Sequence, residues 1–268
     1  MKTIVITGAS SGIGKAAAKH FAEKGWRVAA TMRAPENETE LGQIKNVSLY
    51  ALDVIYEDAV QSVAQKIVGD VGKVDVVVNN AGYGLMGPFE AASVEQIKTQ
   101  YDTNVFGLMS VTRAFLPHFR EQKSGMFINI SSIGGLSTLP FFSLYHGTKW
   151  AVEGFTESMS YELSALGIQV KLIEPGLIST DFAGRSMVWA SKPGLTAYSD
   201  MLERFLKNPN LYGGSAPELV AEVVYTAATD GKSQLRYLAG ADAEQMHGMR
   251  QANGDDAFVA TVKQMMLA

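Results

Sequence analysis

The chain has 268 residues, 47% of them hydrophobic and 19% charged, with a formal net charge of −4, which fits one α/β domain with a large core. A slightly acidic chain without a basic cluster is not expected to bind nucleic acid, and no apolar run reaches the length of a membrane span. The absence of cysteine excludes disulfides and zinc–thiolate sites, and the four scattered histidines lack metal-ligand spacing, so no metal site is predicted.

Short apolar runs and helical patterns alternate along the chain, without internal repeats. This alternation predicts an α/β fold in which helices flank a parallel sheet with right-handed crossovers, and residues 1–268 are expected to form a single domain. The predicted strands lie near 3–7, 27–32, 47–52, 74–79, 125–131, 168–173 and 235–239. The predicted helices lie near 12–24, 57–70, 93–120, 145–166 and 216–230, with further helices near 197–207 and 255–267.

The first predicted strand runs directly into a glycine-rich turn and then into a helix. A dinucleotide fingerprint requires this setting: Gly8 permits the tight turn, Gly12 a close approach of the pyrophosphate, and Gly14 close packing of helix on strand. The helix N-terminus adds free amides and the positive end of a dipole. The spacing is Gly-x-x-x-Gly-x-Gly rather than Gly-x-Gly-x-x-Gly, and a turn without a ligand is the alternative. The predicted cofactor contacts in this turn are Gly8, Ser10, Ser11, Gly12, Ile13 and Gly14.

Three further motifs stand where later predicted strands end. Open α/β sheets bind their ligands at the carboxyl ends of the strands, so these motifs are candidates for one site. They are Asn79-Asn80-Ala81-Gly82, the pair Ser131-Ser132, and Glu174-Pro175-Gly176-Leu177-Ile178-Ser179-Thr180.

Tyr145 and Lys149 are four residues apart in a predicted helix, so their side chains share one face. A nearby ammonium favours the phenolate, and we expect Lys149 to lower the pKa of Tyr145. A tyrosine tuned in this way can exchange a proton with a substrate oxygen. Taken alone, the pair is weak evidence, because this spacing occurs by chance on many helices as a solvated surface contact.

Together, these ordered motifs resemble the short-chain dehydrogenase/reductase family from Lys2 to about Thr180. The resemblance implies a Rossmann-type, doubly wound, seven-stranded sheet in the order 3-2-1-4-5-6-7. It also implies catalytic roles for four residues. Tyr145 is then the acid/base, Lys149 its partner, Ser132 the hydroxyl that orients the carbonyl, and Asn104 the holder of a relay water. A side-chain bond to the backbone is the alternative for Asn104.

The family resemblance also implies NADP(H) as cofactor. No acidic residue occurs from Trp26 to Pro35, and Arg33 occupies the place where NADP-linked members carry an arginine for the 2′-phosphate. A solvated surface arginine is the alternative. The remaining cofactor contacts that the resemblance implies are Asp53, Val54, Asn80, Ala81, Gly82, Tyr145, Lys149, Pro175, Gly176, Ile178 and Thr180.

The segment near 181–214 is expected to form the substrate lid. Long irregular segments in compact domains are often lids, and large apolar residues in this one suggest an apolar pocket. Packing of the same residues on the domain is the alternative. Leu85, Met86, Leu139, Phe141 and Phe142 follow or precede catalytic motifs and are predicted to form the other walls.

The resulting hypothesis is an NADP(H)-dependent carbonyl reductase, or ketoreductase, acting on a carbonyl or secondary alcohol of an apolar small molecule. A 3-oxoacyl-carrier-protein reductase, an epimerase and a catalytically silent NADP-sensing regulator are the alternatives. The C-terminal sequence around Arg236 to Ala243 looks more like that of hydroxysteroid and retinol dehydrogenases than that of carrier-protein reductases. A cytoplasmic homo-oligomer, dimer or tetramer, is expected.

Overall fold

The computed structural model describes residues 1–179, 187–211 and 214–267. The strands are β1 Thr3–Thr7, β2 Arg27–Met32, β3 Val47–Ala51, β4 Val76–Asn79, β5 Gly84–Met86, β6 Gly125–Ile130, β7 Ile168–Pro175, β8 Met187–Trp189 and β9 Arg236–Ala239. The seven predicted strands form one parallel sheet in the order β3-β2-β1-β4-β6-β7-β9, which confirms the Rossmann-type order. Strands β5 and β8 form a separate parallel pair, which the sequence pattern did not predict.

Helices cover both faces of the sheet and extend beyond its last strand. Helix α8 was not predicted, and the single helix expected over 93–120 is divided into α3 and α4 by a π-helical turn at Asp102–Gly107. The helices are α1 Gly12–Glu23, α2 Glu57–Val71, α3 Val94–Tyr101, α4 Leu108–Glu121, α5 Ser143–Ser164, α6 Ser199–Lys207, α7 Pro217–Thr229, α8 Ala241–Asn253 and α9 Asp255–Leu267.

The sheet strands are buried on both faces, as expected for parallel strands under helices. Val28 and Ile128 point into a core with α1 and α7, and Val5 and Phe127 point into a second core with α2, α4 and α5. This two-sided burial fixes the strands rigidly, so the loops at their carboxyl ends are held in register.

The described part of the predicted lid is more regular than expected. Strand β8 pairs with β5, and α6 places Phe205 in a fully buried position. Phe205 packs with Phe258 and Val262 of α9, so the two helices form a third apolar cluster beyond the sheet. Residues 181–186 and 212–213 of the predicted lid lie outside the described residues.

Candidate active site

The glycine turn after β1 is closely braced from β4. Gly8 has φ +67°, in the left-handed region that favours glycine. The Asn80 side-chain amide donates to the carbonyl oxygens of Thr7, at 2.9 Å, and Gly8, at 3.0 Å. A Cβ on Gly14 would lie 2.4 Å from both Asn80 Nδ2 and the Gly8 oxygen. The turn therefore has a fixed shape that accepts only glycine at these positions.

The N-terminus of α1 opens beside this turn. Ser11 precedes the helix with extended backbone and makes no side-chain capping bond, and the first turn of the helix carries no acidic residue. The first amides of the helix are thus free to bind an anion, aided by the helix dipole. A dinucleotide pyrophosphate fits this arrangement, because the glycines leave the backbone uncovered.

Charged residues surround the end of β2. Arg33 directly follows β2 and its side chain is exposed. Lys15 of α1 pairs with Glu38 at 3.2 Å and with Glu40 at 2.7 Å. Lys19 also pairs with Glu40, at 2.5 Å, so two lysines balance the charge of these two acids and Arg33 remains available to a phosphate. Asp53, after β3, is half-buried and accepts a bond from the Ile55 amide at 3.3 Å.

Other predicted cofactor residues line the same edge of the sheet. Val54 is buried against Gly107 of the π-helical turn, and Ala81 donates its amide to the Thr7 hydroxyl at 3.1 Å. Gly82 is exposed beside Asn104. The structure thus brings the ends of β1, β3 and β4 together at one edge.

Tyr145 lies in the first turns of α5 beside Ser132, which follows β6. Burial raises the pKa of the Tyr145 phenol to about 12, and a side-chain hydrogen bond with Ser132 opposes that rise. Ser132 is itself buried, and its hydroxyl accepts from the Gly134 amide at 3.0 Å. The expectation that Lys149 lowers the tyrosine pKa below its ordinary value was wrong for this structure, because the cost of burying the phenolate prevails.

Lys149 is buried one turn further along α5. Its Nζ atom donates to the Ile130 carbonyl at 2.9 Å and lies 5.6 Å from the centre of the Tyr145 ring. Burial lowers the pKa of Lys149 to about 8, and Glu153 acts in the opposite direction. The lysine therefore changes charge only slightly above neutral pH.

Asn104 lies inside the π-helical turn, a distortion that is frequent at functional sites. Its carboxamide accepts from the Tyr83 amide at 3.0 Å and donates to the Tyr83 carbonyl at 2.9 Å. The same amide group donates to the Thr148 hydroxyl at 3.2 Å. The backbone-bonding alternative is thus realised, and it links the segment after β4 to α5 next to Tyr145.

The loop after β7 is anchored by a residue that the sequence motifs did not indicate. Asp242, near the start of α8, accepts from the Leu177 amide at 2.6 Å, and a Cβ on Gly176 would collide with its carboxylate. Pro175 is buried, and Ile178 forms a β-bridge with Ser215. Thr180, the last predicted cofactor residue, lies outside the described residues.

An apolar surface adjoins Tyr145. Phe142 stacks on His146 with ring centres 5.6 Å apart, and burial lowers the pKa of that histidine to about 4, so it is neutral at pH 7. Of the five predicted walls, four belong to the α6–α9 cluster, and Leu85 packs separately with Ala91 and Ala190. Sequence reasoning missed the contributions of α9, namely Phe258, Val262 and Met266.

A cavity of about 230 Å³ opens beside this surface, between β5 and α6. Phe141, which has φ +66°, contributes to it, and its carbonyl oxygen accepts a hydrogen bond from the Gly87 amide at 2.8 Å. The lining residues are Gly87, Pro88, Phe89, Pro140, Phe141, Ser143, Tyr198 and Met201.

Within the described ranges, no group of three or more metal-ligating side chains is placed to hold an ion. Over the same ranges, none of the helices combines the length and apolar character needed to cross a membrane.

Comparison with known proteins gives consistent results over most of the chain. The family model described as short chain dehydrogenase matches residues 2–191. An uncharacterized oxidoreductase of Schizosaccharomyces pombe is 38% identical over 88% of this chain and 99% of its own length. A 3-ketodihydrosphingosine reductase of Bacteroides thetaiotaomicron is 36% identical over 76% and 74%, and bovine retinol dehydrogenase 8 is 32% identical over 88% and 80%.

Solved structures share the fold. A short-chain dehydrogenase from Streptomyces avermitilis superposes with a TM-score of 0.83, at 29% identity, over 98% of this chain and 97% of its own. ElxO with NADP bound gives 0.74 at 29% identity over 88% and 97%. A 3-ketoacyl-carrier-protein reductase from Brucella melitensis, complexed with NADH, gives 0.78 at 25% identity over 90% and 98%. The protein belongs to the short-chain dehydrogenase family of oxidoreductases, whose members act on alcohol and carbonyl groups with a nicotinamide cofactor.

Proposed function

We propose that the protein is an NADP(H)-dependent carbonyl reductase, transferring hydride between nicotinamide and a carbonyl or secondary alcohol of an apolar small molecule. The observation that carries the proposal is the position of Tyr145. It lies beside Ser132 and Lys149, and its ring centre is 6.2 Å from that of Phe142, which packs against the apolar cluster of α6 and α9. A proton donor thus lies next to an apolar surface, in a fold whose sheet edge offers a site for a dinucleotide.

The bound nicotinamide supplies or accepts the hydride. Tyr145 donates the proton to the carbonyl oxygen during reduction, and its raised pKa keeps the phenol protonated at neutral pH. Ser132 hydrogen-bonds the same oxygen and steadies the charge that develops on it. Lys149, whose ammonium lies over the Tyr145 ring, stabilises the phenolate left behind. Asn104 fixes the segment after β4 against α5 and would hold the relay water.

The residues that would hold the cofactor surround the sheet edge described above. Arg33 is proposed to select NADP(H), since its exposed guanidinium can pair with the 2′-phosphate while Lys15 and Lys19 balance the charges of Glu38 and Glu40. The proposed set is Gly8, Ser10, Ser11, Gly12, Ile13, Gly14, Arg33, Asp53, Val54, Asn80, Ala81, Gly82, Tyr145, Lys149, Pro175, Gly176, Ile178 and Thr180.

The substrate is proposed to be apolar, because the surface next to Tyr145 consists of Phe142, Met86 and the α6–α9 cluster. Two relatives are named for retinol and for 3-ketodihydrosphingosine, which supports a substrate with a long apolar carbon chain. We further propose that residues 1–268 act as one domain, that the segment near 181–214 is the substrate lid, and that the enzyme is a cytoplasmic homo-oligomer.

A panel of purified carbonyl compounds tests the activity. Aryl ketones, ketoesters, ketosteroids, retinal and a 3-ketosphingoid base would each be mixed with the enzyme and NADPH, and cofactor oxidation would be followed by absorbance. We expect turnover with the larger apolar carbonyls. A carrier-protein-linked 3-oxoacyl substrate used in strong preference to all of them would favour that alternative instead. NADPH binding with no oxidation of any alcohol or reduction of any carbonyl would favour the silent regulator.

A further inference from the structure

A buried cluster of charges lies directly behind Lys149, and the proposed chemistry does not use it. Glu153, one helical turn after Lys149, is 5% exposed, and Glu174 at the end of β7 is fully buried. Arg236 of β9 reaches both carboxyls and also Glu157, a further turn along α5. Three carboxyl groups thus surround one guanidinium, which comes from the last strand of the sheet.

The three carboxyl groups lie at different distances from the Arg236 guanidinium. Arg236 Nε lies 2.9 Å from Glu153 Oε2, and Arg236 Nη2 lies 2.6 Å from Glu157 Oε2. Glu174 Oε1 is 3.7 Å from the guanidinium, beyond hydrogen-bond distance, and neither of its carboxyl oxygens makes a hydrogen bond of normal geometry. An ionised carboxylate in that position would be strongly disfavoured.

Protonation therefore falls on Glu174. Burial raises the pKa of Glu174 to about 9, with the neighbouring Glu153 acting in the same direction. Burial also raises the pKa of Glu153, but Ser131, Arg236 and Lys149 oppose that rise. Two adjacent buried carboxyl groups do not both ionise. The one that forms a hydrogen-bonded ion pair with Arg236 keeps its negative charge. Glu153 is the anion, and Glu174 is a neutral acid.

The anionic carboxylate acts on the lysine. Lys149 and Glu153 are four residues apart on α5, on one face of the helix. Lys149 is 8% exposed, so the low dielectric around it both disfavours its ammonium and strengthens the pull of a nearby anion. The ionisable groups that face Lys149 are Tyr145, whose ring centre lies 5.6 Å from its Nζ atom, and Glu153, both on α5. Arg236 of β9 and Glu174 of β7 act on Glu153, and Glu157 of α5 pairs with Arg236.

We propose that Glu153 is a positioning residue for Lys149: its carboxylate, fixed by Arg236, keeps the lysine charged at the pH where Lys149 must support Tyr145. The inference rests on the proposed function for the role of the lysine, but the charge arrangement itself can be tested without turnover. Glu174 stays an uncharged acid, so Glu153 is the ionised member of the two buried carboxyls and the one that acts on the lysine.

Three isosteric Glu→Gln variants distinguish the effects of the three carboxyl groups. Glu153→Gln removes the proposed anion, Glu174→Gln replaces a neutral acid with a neutral amide, and Glu157→Gln removes a half-buried partner of the same guanidinium, one turn further from the lysine. The full-length protein would be labelled with ¹³C at lysine Cε, and the Lys149 signal, assigned with Lys149→Arg, would be followed against pH by NMR. The pH dependence of carbonyl reduction would be measured on the same variants.

We expect Glu153→Gln to lower the pKa of Lys149 by about one unit, since an opposite charge nearby raises the pKa of an ammonium by about that much or more. The alkaline limb of the pH–rate profile should move down by the same amount, so that activity is lost at a lower pH. Glu174→Gln and Glu157→Gln should leave both midpoints within a few tenths of a unit. Glu153→Asp, which draws the carboxylate back by one methylene, should lower the pKa by less and serves if Glu153→Gln does not fold.

The outcomes are distinct. An unchanged lysine titration in both Glu153 variants would overturn the inference, even if turnover fell. If the Lys149 pKa shifts in Glu174→Gln and not in Glu153→Gln, the anion that acts on the lysine is Glu174. That result would also overturn the inference. If the lysine titration shifts as expected while no carbonyl substrate is turned over, the charge arrangement stands and the proposed function fails.

Discussion

The nucleotide-binding edge and the apolar cluster beyond it are built in opposite ways. At the edge, the structure is built from backbone and small polar groups. Gly8 and Gly14 leave the turn uncovered, and the Asn80 side chain joins the turn to the end of β4 with two hydrogen bonds. In the cluster, large side chains from distant parts of the chain meet, with Phe205 of α6 against Phe258 of α9. The first region requires a fixed backbone shape, whereas the second requires only volume.

This contrast predicts different tolerances to substitution. A closely packed backbone cannot yield to an added methyl group, while an apolar cluster adjusts and loses affinity or stability gradually. Changes at the edge should therefore affect cofactor binding, and changes in the cluster should affect the substrate. Removing only the phenol oxygen of Tyr145, with the ring kept in place, should leave both binding steps close to normal and should affect the chemistry.

The largest effect is expected from Tyr145→Phe. Turnover should fall by about 10²–10⁴-fold, the usual contribution of a general acid, while NADPH and substrate affinities stay close to normal. Steady-state kinetics and calorimetric NADPH titration would measure the two effects. Tyr161→Phe is the control, because Tyr161 lies on the same helix and is 71% exposed. A Tyr145→Phe enzyme that keeps most of its kcat would remove the phenol from the mechanism.

Gly14→Ala tests the cofactor edge. The new methyl group would lie 2.4 Å from Asn80 Nδ2 and from the Gly8 oxygen, and overpacking of this kind costs about 1–3 kcal/mol. NADPH affinity should fall by roughly tenfold to a hundredfold. Gly69→Ala, in the exposed part of α2 with no atom within 4 Å of the new Cβ, should instead stabilise the fold by about 0.5–1 kcal/mol. Equal cofactor affinities in the two variants would show that the turn is not the cradle.

Arg33→Asp tests cofactor choice at the same edge. A charge-assisted pair with the 2′-phosphate contributes about 1.5–3 kcal/mol, so the variant should bind NADPH about tenfold to a hundredfold more weakly. NADH affinity should be unchanged or higher. Arg120→Asp, an exposed arginine near the end of α4, is the matched control. Equal use of NADPH and NADH by the unmodified protein would refute the role of Arg33.

The smallest effect is expected in the apolar cluster. Val262→Ala removes buried methyl groups from α9 and should lower the free energy of unfolding by roughly 1–2 kcal/mol. It should also raise the KM of an apolar substrate several-fold without changing the NADPH Kd. Val259→Ala, on the same helix and 43% exposed, is the control. A Val262→Ala enzyme with weakened NADPH binding and an unchanged KM would contradict the division of the two regions.

The same division explains what the sequence could predict. Local motifs mark the edge of the sheet, so the sequence could predict that Gly8, Gly14 and Asn80 follow strands there and that Tyr145 and Lys149 share a helix face. The resemblance to the family supplied the strand order and the proposed roles of these residues. The contacts of Asp242 with the loop after β7, and of Phe258 with α6, join residues far apart in the chain. Neither hydrophobic periodicity nor a local motif reveals such contacts, which form only in the folded chain.

The direction of the Tyr145 pKa shift shows a second limit. The i, i+4 spacing with Lys149 predicted a lowered value, since a sequence reveals charged neighbours but not burial. In the folded protein burial dominates both groups, raising the pKa of the tyrosine and lowering that of the lysine. The compensating charge, on Glu153, is held by Arg236 from the last strand of the sheet, a contact that sequence spacing does not reveal.

The most direct test of the central claim is to follow the hydride itself. The enzyme would reduce an apolar ketone with NADPH that carries deuterium at one face of nicotinamide C4, and then with the opposite label, and the alcohol would be analysed by mass spectrometry. We predict that one of the two labelled cofactors places a single deuterium on the carbinol carbon and that the other places none. An alcohol without deuterium from either cofactor, or with hydrogen taken from solvent at that carbon, would contradict direct transfer at the site next to Tyr145.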